Sequence, residues 1–385
     1  MKKIYEEVLS KIRDIHQQPD GLIPLHEPRF VGNEKKYLND CIDSSFVSSV
    51  GKYVGEFEKM VAEYTGAKYA VATVNGTAAL HIALLLSDVK PDDEVLTQAL
   101  TFVATTNAVS YTGARPVFLD VDLDTMGLSP KSIKHFLDTK CEIREDSCYN
   151  KTTGRRIKAC VPVHTFGHPC RIDEITEICN YYKIDVVEDA AESLGSFYKE
   201  KHTGTFGKLG TFSFNGNKII TTGGGGLIVT DDKELAKKAK HITTTAKIPH
   251  KWEFIHDMIG YNYRLTNLAA AMGCAQMENL SLFVIKKREL AKEYESFFKR
   301  LNLKFSLEPS DSKSNYWLNS LILENRKERD IFLDYVNQRG IMSRPIWQLM
   351  NQLVMYKDCQ AGDLNNTLWL ADRVVNIPSS VILHK

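Results

Sequence analysis

Lys68-Tyr-Ala-Val-Ala-Thr-Val74 runs directly into Asn75-Gly76 and then into Thr77-Ala-Ala-Leu-His-Ile-Ala-Leu-Leu-Leu86. The first run reads as a strand over 69–74, Asn-Gly as a turn, and the apolar run over 77–86 as a helix. A strand that turns through glycine into a helix leaves the first N–H groups of that helix without intrahelical partners. Here they belong to Gly76, Thr77 and Ala78, they point beyond the strand end, and the helix dipole favours negative charge there. The Thr77 hydroxyl adds a donor, so a phosphate fits, although an ordinary turn capped by Thr77 has the same pattern.

The alternation continues outward from this unit. Strands are predicted at 94–98, 116–121, 157–163 and 185–188, and helices at 102–111, 130–137 and 172–182, with a polar insertion over 138–155. Units of this kind build an α/β fold around a mostly parallel sheet with right-handed crossovers. Upstream, Ile4, Val8, Ile12 and Ile15 recur at helical spacing, a Pro-containing loop covers 21–33, and helices are predicted over 34–43 and 53–64. Between these two helices lies the small, polar loop Ser44-Ser-Phe-Val-Ser-Ser-Val-Gly51, either a binding lip or a plain connection. Downstream, a strand over 227–230 and a helix over 233–241 precede Gly260-Tyr-Asn-Tyr-Arg-Leu-Thr-Asn267, which opens one long helix predicted to reach about Phe298 and to bridge two domains. Beyond residue 302 a strand over 317–323 and a helix over 328–339 surround a smaller core. The expected division is an N-terminal helix over 1–20, a large domain over 21–270, and a bridging helix with a small C-terminal domain over 271–385.

Composition excludes several function classes. Lys and Arg number 49 against 48 Asp and Glu, so no basic field invites nucleic acid. No stretch approaches the roughly 18 apolar residues that span a bilayer, and the amphipathic start has no signal-peptide core, which implies a cytoplasmic protein. Eight cysteines without a Cys-x-x-Cys pair suit reduced thiols. Cys160, His164, His168 and Cys170 invite a metal reading, but Cys160 and His164 on one strand stand roughly 13 Å apart, so no metal is expected.

Ligands of open α/β sheets bind beyond the carboxyl ends of the strands. That rule brings Asn75-Gly-Thr77, Thr101-Phe102, His164 and Asp189 to one crevice. Asp189 ends an apolar run, where a carboxylate is costly unless a cation pairs with it, unless it instead caps a following helix. A second run, Gly210-Thr-Phe-Ser-Phe-Asn-Gly-Asn-Lys218-Ile-Ile-Thr-Thr222, reads as a strand ending at a lysine beside apolar residues, just ahead of Gly223-Gly-Gly-Gly226. Lys218 is either a solvated turn lysine or a dry amine able to attack a carbonyl carbon as a Schiff-base lysine. An imine-forming lysine, a carboxylate for a protonated pyridine nitrogen and a helix start for a phosphate are the fixtures that pyridoxal phosphate requires. Phe102 is placed to lie on a ring face or to be plain core, and Ser213 to offer the phosphate a hydroxyl.

Five ordered runs resemble one family: Asn75-Gly-Thr-Ala-Ala-Leu80, Leu100-Thr-Phe-Val-Ala-Thr105, Glu188-Asp-Ala-Ala191, Ser213-Phe-Asn-Gly-Asn-Lys218 and Gly260-Tyr-Asn-Tyr-Arg264. They are similar to the DegT/DnrJ/EryC1/StrS sugar aminotransferases, which act on nucleotide-linked 4-keto-6-deoxy sugars, over about residues 22–385. The resemblance implies a fold-type I (aspartate aminotransferase-like) enzyme with pyridoxal 5'-phosphate, a homodimer with shared active sites, and a nucleotide sugar and L-glutamate as substrates. It implies that Lys218 and Asp189 are catalytic and that Gly76, Thr77, Ala78 and Ser213 hold the phosphate. Phe102 would stack on the ring, Glu192 would lie near the phenolic oxygen, and Asn262 would reach the phosphate from the neighbouring subunit. Ser48, Ser49 and His164 fall on the substrate side.

The branch resembled is that of legionaminic-acid-type pathways, through Leu25-His-Glu-Pro28, Ser48-Ser-Val-Gly51, Gly223-Gly-Gly-Gly226 and Thr243-Thr-Thr-Ala-Lys247. Glu192 stands where many relatives carry glutamine, so its carboxylate must be protonated or turned aside, and Gly224 replaces a residue that is often acidic. The same resemblance includes cofactor-binding dehydratases, which carry histidine at the Lys218 position, and a non-catalytic regulator, which would show a basic helix-turn-helix. The lysine favours transamination.

Overall fold

The computed structural model describes residues 2–383. Met1, His384 and Lys385, at the outer ends of the predicted division, lie outside them. In chain order the elements that position the site are α1 (Lys2–His16), α2 (Glu34–Asp43), α3 (Lys52–Thr65), β1 (Tyr69–Thr73), α4 (Gly76–Leu86), β2 (Glu94–Gln98), α5 (Val103–Tyr111) and β3 (Arg115–Leu119). They continue with β4 (Cys141–Arg144), β5 (Ser147–Asn150), β6 (Arg156–Val161), β7 (Asp185–Asp189), β8 (Leu209–Ser213), β9 (Gly226–Thr230), α6 (Asn267–Met277) and α7 (Leu280–Arg300).

Nine strands form the large sheet, whose main path runs β1-β9-β8-β7-β6-β2-β3. Neighbours from β8 to β3 are parallel, while β9 runs antiparallel to both β8 and β1. Along this main path the strands are buried nearly throughout, as expected of a sheet covered on both faces, although Glu94, Gln98, Glu188 and Asp189 put polar side chains inside it. One consequence decides the site: β9 starts where β1 and β8 end, so Gly226 pairs with both Thr73 and Ser213. A Cβ on Gly226 would stand 2.2 Å from the Asn75 carbonyl oxygen, so only glycine allows the sheet to close against the turn before α4.

Two expectations are corrected. Within the polar insertion over 138–155, residues 141–150 form a hairpin, β4–β5, that adds antiparallel to the start of β6. Its residues show no clear apolar alternation, and the first residues of β6, Arg156 and Ile157, extend past the start of β7 and supply the hydrogen bonds that seat the hairpin. The long helix is two helices, α6 and α7, bent by 58° at their junction. The Asn279 amide donates to the Ala275 carbonyl there and competes with the backbone ladder, while Glu278 turns out to accept from Tyr37 and Asn33. Before the bend, α6 presents small residues to α3, and Gly273 admits the Phe57 ring, 2.7 Å from where a Cβ would sit. After it, α7 packs with α1 and a four-stranded antiparallel sheet, β10 (Lys304–Phe305), β11 (Asn319–Ile322), β12 (Arg344–Pro345) and β13 (Val374–Ile377), in the order β10-β11-β13-β12. Among the described residues no single helix is long and apolar enough to cross a membrane.

Candidate active site

A cavity of about 340 Å³ opens beyond the carboxyl ends of β1, β7 and β8. Its wall brings together Asn75, Gly76, Thr77, Thr101, Phe102, Asp189, Glu192, Ser213 and Lys218 from the sequence expectations, with Thr105, Asn215, Asn217, Trp317 and Trp347 added by the fold.

At one end α4 begins. Asn75, not Thr77, is its N-cap, and the Asn75 side chain accepts from the Ala78 N–H at 2.8 Å. Ala78 is buried, does not line the cavity and has its donor taken, so its placement differs from the expectation; Gly76 and Thr77 keep the first-turn N–H groups that face the opening. Ser213 crosses close over this turn: a Cβ on Gly76 would lie 2.8 Å from the Ser213 Cβ and 3.1 Å from its hydroxyl oxygen. Two free N–H groups, two hydroxyls and a helix N-terminus make an anion cradle.

At the other end, successive residues of β7 face opposite ways. Asp189 faces the cavity at 7% exposure, and its carboxylate accepts from the Thr105 hydroxyl at 2.8 Å and the Ala191 N–H at 3.2 Å. Turns rather than a helix follow it, so it caps nothing. Neither oxygen has a cationic partner among the described residues, which leaves a dry carboxylate prepared for one. Glu188 faces away, where it accepts from the N–H groups of Gly204, Phe206 and Gly207 and pairs with His164 Nε2 at 3.0 Å. His164 is therefore fully buried behind the strand and does not line the cavity, contrary to its predicted place on the substrate side. Burial alone would lower its pKa, but Cys170 and the Glu188 carboxylate outweigh that and raise it to about 10. Val163, one residue earlier, is the one that reaches the cavity wall.

Lys218 lies between. Its Nζ is 3.4 Å from Glu192 Oε1 and 4.0 Å from the centre of the Trp317 ring, whose indole N–H donates to the Asn217 carbonyl at 2.6 Å. The lysine is dry, 13% exposed at its side chain, rather than a solvated turn residue. The other Glu192 oxygen accepts the Phe166 N–H at 2.8 Å, and Phe166 is fixed in the left-handed region at φ 56°. Glu192 is thus held aside by a backbone donor, and burial, partly offset by Lys218, raises its pKa. Phe102 is 52% exposed at the start of α5 and 6.4 Å from Trp347, so it borders the opening and is not core.

Other predicted residues fall elsewhere. Ser48 is exposed and Ser49 half-buried, and neither lines the cavity of this chain. Asn262 is exposed and accepts from Arg264, outside the same cavity. Gly224 faces open space, so its departure from an acidic residue is not a matter of room. Trp317 and Trp347 carried no recognisable signal, because they come from the smaller sheet's surroundings and meet the site only in three dimensions. Thr105 lay inside a quoted motif, and a capping rule applied to Asn75 rather than Thr77 would have found the N-cap.

The DegT/DnrJ/EryC1/StrS aminotransferase family profile matches residues 28–385. The chain belongs to this family. It is 39% identical over 336 residues to a GDP-perosamine synthase of Escherichia coli O157:H7, covering 87% of each protein. To the GDP-perosamine synthase of Vibrio cholerae it is 36% identical over 363 residues, 93% of this chain and 94% of that one. The crystal structure of the aminotransferase TlmJ from Streptoalloteichus hindustanus superposes with a TM-score of 0.84 at 26% identity, over 93% of this chain and 94% of that one. The PLP form of Spr1654 from Streptococcus pneumoniae gives 0.83 at 21% over 93% of each, a likeness of fold.

The protein is accordingly a pyridoxal phosphate-dependent aminotransferase of the fold-type I, aspartate aminotransferase-like class. The residues present fit that cofactor. An unpaired dry carboxylate suits its protonated ring nitrogen, a cradle too tight for a Cβ suits its phosphate, and a dry amine suits its aldehyde.

Proposed function

We propose that this family member moves the amino group of L-glutamate to C4 of a nucleotide-linked 2-acetamido-4-keto-6-deoxy hexose, in bacterial surface-sugar biosynthesis of the legionaminic-acid type. The observation that carries the transfer is Lys218 Nζ, dry and 3.4 Å from Glu192, in the same cavity as Asp189 and the α4 cradle. Relatives named for making a GDP-linked amino sugar support a nucleotide-sugar acceptor. The sequence runs of the legionaminic-type branch support the 2-acetamido sugar.

In this reading Gly76, Thr77 and Ser213 bind the cofactor's phosphate, Phe102 lies over its ring, and Asp189, oriented by Thr105, holds the proton of its ring nitrogen. When bound, the cofactor supplies an electron sink for the carbon that loses a proton. Lys218 Nζ takes that proton and returns it where the amine is gained or lost, general acid–base work that needs an amine within reach of both atoms. Glu192 keeps Lys218 oriented, and Trp317 excludes water from it. A lysine at this position, rather than histidine, favours transamination over dehydration. The active unit is a homodimer in which Asn262 reaches the partner's phosphate site, a role supported by its exposure outside its own cavity. Ser48 and Ser49 face the sugar across that same interface. Eight unpaired cysteines support a cytoplasmic setting.

The test is to offer UDP- and GDP-linked 4-keto-6-deoxy sugars with L-glutamate and to read the product by mass and by NMR coupling at C4. One carrier should be aminated by the native protein, and Lys218→Ala should abolish turnover. Amination of neither, with good turnover of a simple 2-keto acid, would remove the sugar assignment and leave the amine chemistry.

A further inference from the structure

Lys218 Nζ rests between two groups that come from distant parts of the chain. Glu192 Oε1 lies 3.4 Å away on one side, and the Trp317 indole lies on the other with its ring centre at 4.0 Å. Asn315 fixes the spacing of those two. It is fully buried, its amide donates to the carbonyls of Glu192 and Leu194, both at 2.9 Å, and its Oδ1 accepts the Trp317 backbone N–H at 2.8 Å. Both side-chain donors and the acceptor are therefore used inside the protein. The Asn315 backbone N–H donates to the Ser196 hydroxyl at 2.9 Å, which ties its main chain to the same segment as Glu192. The circuit closes at the indole N–H, which donates at 2.6 Å to the carbonyl of Asn217, the residue before the lysine. Residues 192–196, 217–218 and 315–317 thus form one closed ring of contacts that passes through the amine.

A ring of this kind does more than keep water out. An ammonium over an indole face is attracted by the ring quadrupole, most strongly where water is excluded. The Lys218 side chain is 13% exposed, so that condition is met. The attraction acts on the free, charged amine. It also acts on the charge that develops when the amine takes up a proton.

We propose that Trp317 is a positioning residue: its ring face, set opposite Glu192 by Asn315, is the seat of the Lys218 amine whenever that amine is not bonded to the cofactor, and the amine leaves the seat on bonding. The seat then opposes the bond to the cofactor's aldehyde, favours its replacement by the donor's amine, and stabilises Lys218 as it gains a proton. The inference rests on Lys218 being the amine that bonds the cofactor.

The experiment measures Kd values of pyridoxal phosphate and pyridoxamine phosphate on cofactor-free protein by equilibrium dialysis. The first carries an aldehyde for Lys218, while the second occupies the same cradle and leaves the amine on its seat. Lost packing in Trp317→Leu weakens both, but the ratio of the pyridoxamine phosphate Kd to the pyridoxal phosphate Kd should rise by roughly 2- to 30-fold. Trp317→Phe keeps a weaker ring face and loses the tie to Asn217; it should raise the ratio less, and it carries the test if the leucine variant does not fold. An unchanged or smaller ratio would overturn the proposal, because a purely structural role moves both constants together. A second arm uses cofactor-free protein with isotope-labelled lysine. The indole ring current should place one ε-methylene resonance, absent in Lys218→Ala, upfield of the others, and Trp317→Leu should return it to the common position. Absence of that resonance in the native protein would overturn the proposal as well. If the native ratio of Kd values already equals that of Lys218→Ala, the lysine does not bond the cofactor and the transamination reading fails; the resonance still decides whether Trp317 seats the amine.

Discussion

Gly76→Ala tests the phosphate cradle by a displacement whose size the structure gives. The added methyl would lie 2.8 Å from the Ser213 Cβ, against about 3.5–4.0 Å for a relaxed carbon contact. The turn before α4 or the end of β8 must therefore move by about 0.7 Å, and neither is free to do so. Gly226 pins β9 against the Asn75 carbonyl, and Ser213 is paired with Gly226 in the sheet. Overpacking of this kind costs about 1–3 kcal/mol. Because the Gly76 and Thr77 N–H groups are displaced with the turn, that cost falls on the bound state, and pyridoxal phosphate should bind roughly 5- to 150-fold more weakly. Trp317 and Trp347 line the same cavity, so titrating cofactor-free protein while following tryptophan fluorescence gives the Kd directly. Ser213→Gly in the Gly76→Ala background removes the clashing atoms and should recover part of the affinity even though a hydroxyl donor goes with them. The argument is refuted if Gly76→Ala binds the cofactor as tightly as the native chain, or if the second substitution only adds to the loss.

Three further outcomes are expected. Lys287 has an ordinary pKa of 10.5 in the unfolded chain and, through burial, about 7 in the folded one. Between those values the unfolded state binds more protons, so this group's contribution to stability rises with pH from about 7 to 10.5 and is lost as pH falls, by at most about 1.4 kcal/mol per unit; Lys287→Met should flatten that slope in urea unfolding at pH 7 and 9. Glu192→Gln keeps an acceptor for the Phe166 N–H and should leave the thermal midpoint nearly unchanged, while Glu192→Leu strands that buried donor and should cost about 1–3 kcal/mol. Mixing inactive Lys218→Ala chains with inactive Asn262→Ala chains should restore part of the activity through heterodimers with one complete site. No recovery, with subunit exchange verified, would confine Asn262 to its own chain.

Local chemistry made much of this protein legible in one dimension. Apolar strand runs, glycine turns and helix starts depend on neighbours a few residues apart, so the α/β alternation and the turn at Asn75-Gly76 could be read directly, as could the ends of strands where Asp189 and Lys218 fall. Three-dimensional packing decided the rest. Whether Asp189 or Glu188 faces the cavity is a matter of strand pleat, and His164 went with Glu188 because the backbone donors of residues 204–207 gather on that side. The Ala78 donor was taken by a side chain three residues back, and the hairpin over 141–150 forms where the start of β6 extends past β7 and leaves backbone groups to pair. Trp317 and Trp347 come to the lysine from segments about 100 to 130 residues away in sequence, a proximity no periodicity encodes, because it depends on where the bend at Glu278 sends α7 and the smaller sheet behind it.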